Sequence, residues 1–266
     1  MLLFVPHLSP PSPPPTNRSQ YPAYLPTWNP TQKYPPLETF SHIEHGKGAD
    51  PTFKELLPSG SKIQKLTPSI GSEVTGVQLS KLTKEGKDQL ALLVAQRKVV
   101  AFRDQDFADL PLQEALDFGG YFGRHHIHPT SGSPEGFPEL HSKLPALSSQ
   151  SRYQIMLLII WTVVHRYGAT SNDFESFLAN RNSSVSWHSD VSYEAQPPGT
   201  TFLYIFDTPE VGGDTLFASQ VEAYNRLSEN LKERLHGLKA VHSGFEQAQF
   251  SRDRDGMFSD CGAVEF

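Results

Sequence analysis

The chain has 266 residues, 20% of them charged and 37% hydrophobic, enough for one large domain with an appendage and too few for two full domains. A formal charge of -6 argues against a basic surface for nucleic acid or an anionic membrane. The single cysteine, Cys261, excludes an internal disulfide framework and fits a reducing, cytoplasmic setting.

The first five residues, Met1 to Val5, are apolar but run into Pro6 without a basic flank, so a secretory signal is not expected. The longest apolar run, Ile155 to Val164, is interrupted by Thr162 and is about half of what a membrane span needs. Of the 22 prolines, 13 lie at or before Pro58. Proline lacks an amide donor and pushes its predecessor toward extended geometry, so residues 1–67 read as a Pro-rich, largely disordered arm. An ordered domain is expected over 68–266.

Within that domain, Glu73 to Leu79 alternates as a half-buried strand does. Thr83 is placed to cap a helix with Leu90, Leu93, Val94 and Arg97 on one face. Lys98 to Phe102 reads as a buried strand that Arg103-Asp104-Gln105 leaves. Asp109, before Pro111, is expected to open a second helix with Leu112, Ala115, Leu116 and Gly119 inward. Strands follow at Ser184 to Asp190 and Thr200 to Asp207, then short helices at Gln220 to Leu227 and Glu229 to Leu238, and a strand at Lys239 to His242. Short strands mixed with helices predict an α+β fold built on a sandwich or barrel.

Three patterns carry chemistry. In Trp187-His188-Ser189-Asp190, an extended backbone sends His188 and Asp190 to the same face, giving an imidazole and a carboxylate suited to non-haem iron. The alternative is a hydrogen-bonded surface pair. Gly212-Gly213-Asp214-Thr215, 25 residues beyond Asp190 at Thr215, permits a tight reversal that presents a hydroxyl. His125-His126-Ile127-His128 could donate to an anion or bind metal, and zinc on His126, His128 and His188 in a binding module is a further alternative.

These motifs, with Gly71 to Val77, Val99 to Gln105, His126 to Pro129, Pro209 to Thr215 and Glu222 to Ser228, resemble in order and wording the TauD/TfdA family of Fe(II)- and 2-oxoglutarate-dependent dioxygenases. The similarity is greatest to fungal sulfonate dioxygenases and runs from about Pro68 to Gln249. It implies a double-stranded β-helix, or jelly-roll, core with flanking helices. It also implies Fe(II) on His188 and Asp190, 2-oxoglutarate held by Thr215, and a small anionic sulfonate met by His128. The implied reaction uses O2 to hydroxylate a taurine-like substrate, releasing sulfite, succinate and CO2.

The sequence departs from the family pattern in four places. Ser131 stands where a tyrosine is expected and Ser184 where an asparagine is expected, so the substrate is expected to differ from taurine in its pocket contacts. Residues 142–162 read as an insertion. Only 76 residues follow Asp190, and neither His236 nor His242 occupies the expected position of a distal third iron ligand. The third ligand, the arginine for the far carboxylate of 2-oxoglutarate, and the C-terminal half of the jelly roll are therefore expected to be missing. The alternative function on this reading is an inactive fragment or pseudoenzyme.

Overall fold

The computed structural model describes residues 2–5, 21–27, 34–35, 38–127, 132–143, 156–159, 191–206, 215–243 and 245. Seven short strands among them form one mixed sheet: β1 (Leu2–Val5), β2 (Lys62–Lys65), β3 (Ser72–Thr75), β4 (Val100–Arg103), β5 (Leu140–Lys143), β6 (Met156–Ile159) and β7 (Phe202–Ile205), in the order β2-β3-β4-β1-β7-β6-β5. The middle of the sheet, β3-β4-β1-β7, is parallel, and the outer pairs β2-β3, β7-β6 and β6-β5 are antiparallel. Four α-helices among the described residues accompany it: α1 (Lys84–Arg97), α2 (Leu112–Gly120), α3 (Gln220–Asn225) and α4 (Glu229–Leu235). The expected mixed α+β class is present.

Helix α1 starts as its sequence dictates. The Thr83 hydroxyl accepts the Gly86 amide at 3.0 Å, satisfying one of the first-turn donors that no helical carbonyl can reach. Leu90, Leu93 and Val94 are buried on the face that packs against β4. Each leucine sealed from water there stabilises the fold by roughly 1.5–3 kcal/mol. Arg97 does not join that apolar face. From the last turn its guanidinium donates to the Ser72 hydroxyl at 2.8 Å and to the carbonyls of Thr67 and Gly71 at 2.8 and 2.6 Å, fixing the turn that leads into β3. Gly71, at φ +85, takes the left-handed conformation this turn requires.

Alternation along the central strands sorts the core. Val100 and Phe102 on β4, with Phe202 and Tyr204 on β7, meet Phe107 and Phe118 in one cluster. Ring centroids of Phe107 and Phe118 lie 5.2 Å apart, and those of Phe118 and Phe202 lie 5.7 Å apart in an edge contact. Ala101 and Leu203, which point to the opposite face, are buried as well.

Parts of the Pro-rich stretch expected outside the core take part in it. Leu2–Val5 lies between β4 and β7, Tyr24 is buried against Phe206, and Leu56 is wholly buried. The partners of Leu2–Val5 lie about a hundred and two hundred residues along the chain, so no local pattern announces this strand. Of the insertion at 142–162, Met156–Ile159 becomes β6 and pairs with β5 and β7. The second helix begins at Leu112, and Asp109 instead ends a 3-10 turn, Phe107–Asp109. The strand expected at Lys239 to His242 is irregular, with Val241 96% exposed, because no described strand lies beside it to take its hydrogen bonds. Helix α4 stops at Leu235 rather than Leu238, since Gly237 at φ +81 provides a left-handed termination.

Candidate functional site

His188 and Asp190, expected on the metal, and His128, expected at the substrate, lie outside the described residues. The residues that immediately follow Asp190 are described, and they are held from three directions. Val191 is buried, with its backbone at φ +41, a region that β-branched residues rarely enter. The Glu194 amide donates back to the Val191 carbonyl at 3.0 Å, closing a turn.

Three side chains of this turn, those of Ser192, Glu194 and Gln196, then reach different parts of the chain. Glu194 Oε1 accepts from His126 Nε2 at 2.8 Å, and both groups are shielded from water, the imidazole being 7% exposed. Ser192 Oγ lies 2.7 Å from His242 Nδ1. Gln196 pairs with the Phe40 backbone in both senses, accepting the Phe40 amide at 2.8 Å and donating to the Phe40 carbonyl at 2.9 Å. Arg124, two residues before His126, stacks its guanidinium on the Phe40 ring at 4.6 Å and donates to the Glu38 carbonyl. The segment beyond Asp190, the histidine loop and residues 38–40 thus form one connected assembly.

His126, read in the sequence as a possible anion or metal contact, turns Nε2 to Glu194. Its neighbour His125 is half-buried, and burial holds its imidazole below the usual histidine range, against smaller opposing effects of Glu139, the Leu116 backbone and Asp117. Gly120 leaves room for that ring: a Cβ there would meet His125 Nε2 at 3.1 Å. Thr215 is half-buried in an irregular run of 215–219 that ends at Ser219, the cap of α3. His236 closes α4 at the surface, and His242 bonds Ser192. Among the described residues no three His, Cys, Asp or Glu side chains converge as a metal cluster.

The contacts of Glu194, Ser192 and Gln196 were not foreseen from the sequence. The only signal was a carboxylate four residues beyond Asp190 in an otherwise uncharged stretch.

A second polar cluster lies between α1 and α2. Asp88 Oδ1 accepts from the Tyr121 hydroxyl at 2.6 Å and lies 3.0 Å from His45 Nδ1, while the His45 and Tyr121 rings stack at 4.3 Å. Burial, then the bond to Asp88, pushes the Tyr121 hydroxyl above its usual range. This cluster fastens His45 to Asp88 of α1 and to Tyr121 at the end of α2.

The family model described as "Taurine catabolism dioxygenase TauD, TfdA family" matches residues 62–262. The chain belongs to this family. TauD/TfdA relatives include an alpha-ketoglutarate-dependent sulfonate dioxygenase of Saccharomyces cerevisiae, 40% identical over 244 residues, which are 90% of this chain and 54% of the yeast protein. A putative alpha-ketoglutarate-dependent sulfonate dioxygenase of Schizosaccharomyces pombe is 35% identical, covering 88% of this chain and 53% of its own length. An alpha-ketoglutarate-dependent sulfate ester dioxygenase of Pseudomonas putida is 29% identical over 70% of this chain and 51% of its own. The chain spans about half the length of the curated TauD/TfdA relatives it matches. No helix among the described residues is long and apolar enough to cross a membrane.

Proposed function

We propose that the protein is an Fe(II)- and 2-oxoglutarate-dependent dioxygenase that hydroxylates a small, taurine-like organic sulfonate, with release of sulfite, succinate and CO2. The observation that carries this reading is the family match across 62–262, which spans the histidine loop, the Trp187-His188-Ser189-Asp190 motif and Thr215. On this reading residues 68–266 carry an incomplete jelly-roll domain that lacks its C-terminal half and is interrupted at 142–162, Leu2–Val5, Tyr24 and Leu56 of the 1–67 stretch add to its core, and the protein works in the cytoplasm.

His188 and Asp190 offer two of the three donors of an open ferrous site, an imidazole nitrogen and a carboxylate oxygen, and would hold the metal there together with a distal histidine that the sequence reading does not locate. Iron held there would supply the activation of O2 that couples oxidation of 2-oxoglutarate to hydroxylation of the substrate. The remaining work belongs to the protein. Thr215 donates its hydroxyl to a carboxylate of 2-oxoglutarate, a charge-assisted bond that orients the cosubstrate. His128 donates to the sulfonate and places the carbon that bears it. Hydroxylation of that carbon leaves an unstable adduct that expels sulfite.

The test is direct. The chain is loaded anaerobically with Fe(II) and 2-oxoglutarate and exposed to O2 with and without taurine, while succinate and sulfite are measured. Both should appear together and be lost in His188→Ala and Asp190→Ala, which should also weaken Fe(II) binding. Iron and 2-oxoglutarate binding that survive both substitutions would remove the assignment. Succinate without sulfite, raised by an alkyl sulfate, would move the substrate class to sulfate esters, as in the relative from Pseudomonas putida.

A further inference from the structure

We infer that His126 and Glu194 form a positioning pair that sets substrate affinity by locking the histidine loop to the segment beyond Asp190; this rests on the function proposed above. The two residues are 68 apart in sequence, and their 2.8 Å contact joins the segment leading to His128, which the proposed function gives to the substrate, to the segment that follows Asp190, which it gives to the metal. His126 lies two residues before His128, and Glu194 lies four residues after Asp190. A carboxylate oxygen only accepts, so His126 Nε2 carries the hydrogen, which fixes the orientation of the ring.

The surroundings make this contact a geometric constraint rather than a loose surface pair. The imidazole is 7% and the glutamate side chain 22% exposed, so neither swings freely in water. At one end the Val191 turn, closed by the Glu194 amide, fixes where the glutamate starts. At the other, Arg124 is tied to Phe40 and Glu38, and Phe40 is tied to Gln196. The circuit 124–126–194–196–40 closes on itself. Breaking the buried bond opens it at His126, two residues before His128 in sequence.

A residue that only supports the fold lowers stability and affects all ligands alike. A positioning pair acts on the sulfonate and spares 2-oxoglutarate, because Thr215 lies on a different segment. The experiment is anaerobic calorimetry of the full chain with Fe(II), titrating 2-oxoglutarate first and then taurine or hexyl sulfate, whichever the wild type binds more tightly, with the melting temperature recorded alongside. His126→Ala and Glu194→Ala should each weaken the sulfonate or sulfate at least tenfold, with 2-oxoglutarate changed less than threefold. The double variant should be no weaker than the worse single. His126→Gln, which keeps an N–H donor toward Glu194, should stay within threefold of wild type, and Glu194→Gln, which keeps an acceptor and covers an alanine variant that fails to fold, should fall between.

Variants that bind the sulfur anion as wild type does overturn the positioning role alone. So do variants that lose both ligands in parallel with a fall in melting temperature, which marks a purely structural contact. A wild-type chain that binds neither 2-oxoglutarate nor either sulfur anion overturns the proposed function, and the positioning role falls with it.

Discussion

The side-chain carbonyl of Gln89, in the middle of α1, accepts the backbone amide of Leu56 at 2.9 Å, and the amide of Glu55 at 3.0 Å. Gln89 is 2% exposed and Leu56 fully buried, so the end of the Pro-rich stretch is stitched to the helix inside the core. Gln89→Leu keeps the volume but leaves two amides without their acceptor. At about 1–3 kcal/mol for each buried orphan, with Glu55 partly reached by water, the variant should lose roughly 2–4 kcal/mol. Urea unfolding measures this, and a loss below about 0.5 kcal/mol would mean that residues 55–56 do not sit on α1.

Tyr204 makes a comparable stitch on β7. Its hydroxyl donates to the Gln105 carbonyl at 2.9 Å and accepts the Ala108 amide at 3.3 Å, linking the sheet to the exit of β4. Burial raises the phenol well above its ordinary range, so the donor is retained at any physiological pH. Tyr204→Phe should cost about 1–2 kcal/mol, since a hydrogen bond is lost and a buried amide orphaned while the ring packing stays. An unchanged urea midpoint would show that water replaces the hydroxyl.

Neither of these two stitches was legible in the sequence. The capped start of α1, its apolar stripe and the buried Val100–Phe102 run follow from short-range rules, and the sequence reading located them within two residues. The strand Leu2–Val5 did not follow, because four apolar residues before a proline carry no information about partners far along the chain. The motif around His188 announced the family, but not the turn at Val191 or the reach of Glu194 to His126. Such long-range polar pairs depend on tertiary placement. The expected strand at Lys239 to His242 failed for the related reason that a strand needs a neighbour.

His125 makes stability depend on pH. Its folded pKa lies below the ordinary 6.5, chiefly through burial, so the native state binds the proton less readily than the unfolded chain does. The unfolded chain therefore carries more protons just below pH 6.5, and stability falls as pH falls through that window while staying complete above it. His125→Gln removes this proton uptake. Melting temperatures of wild type and variant, compared at pH 7.5, 6.5 and 5.5, should diverge in slope on the acid side, with wild type steeper. Parallel curves would place His125 in water.

Thr215 tests the cosubstrate half of the proposed function. Thr215→Val preserves shape and removes the hydroxyl. A hydrogen bond to a charged group contributes about 1.5–3 kcal/mol, so the affinity for 2-oxoglutarate should drop roughly 10- to 100-fold. Thr215→Ser should restore most of it. Equal affinity in the valine variant would assign the carboxylate to another donor.

Val191 sets burial against backbone strain. At most buried positions Val→Gly is worse than Val→Ala by about 1 kcal/mol, because glycine gains more freedom on unfolding. At φ +41 the order should reverse. Any side chain in the left-handed region costs about 1–2 kcal/mol, which glycine escapes and alanine does not. Both variants lose the buried isopropyl group and both should destabilise, but Val191→Gly should equal or exceed Val191→Ala in stability. Denaturant midpoints at unchanged slope decide it: alanine more stable by 1 kcal/mol would show that the turn is relaxed. If glycine is the more stable, the turn beside Asp190 is held in a conformation its own residue disfavours. The contacts that hold it there are those of Glu194 with His126, Ser192 with His242 and Gln196 with Phe40.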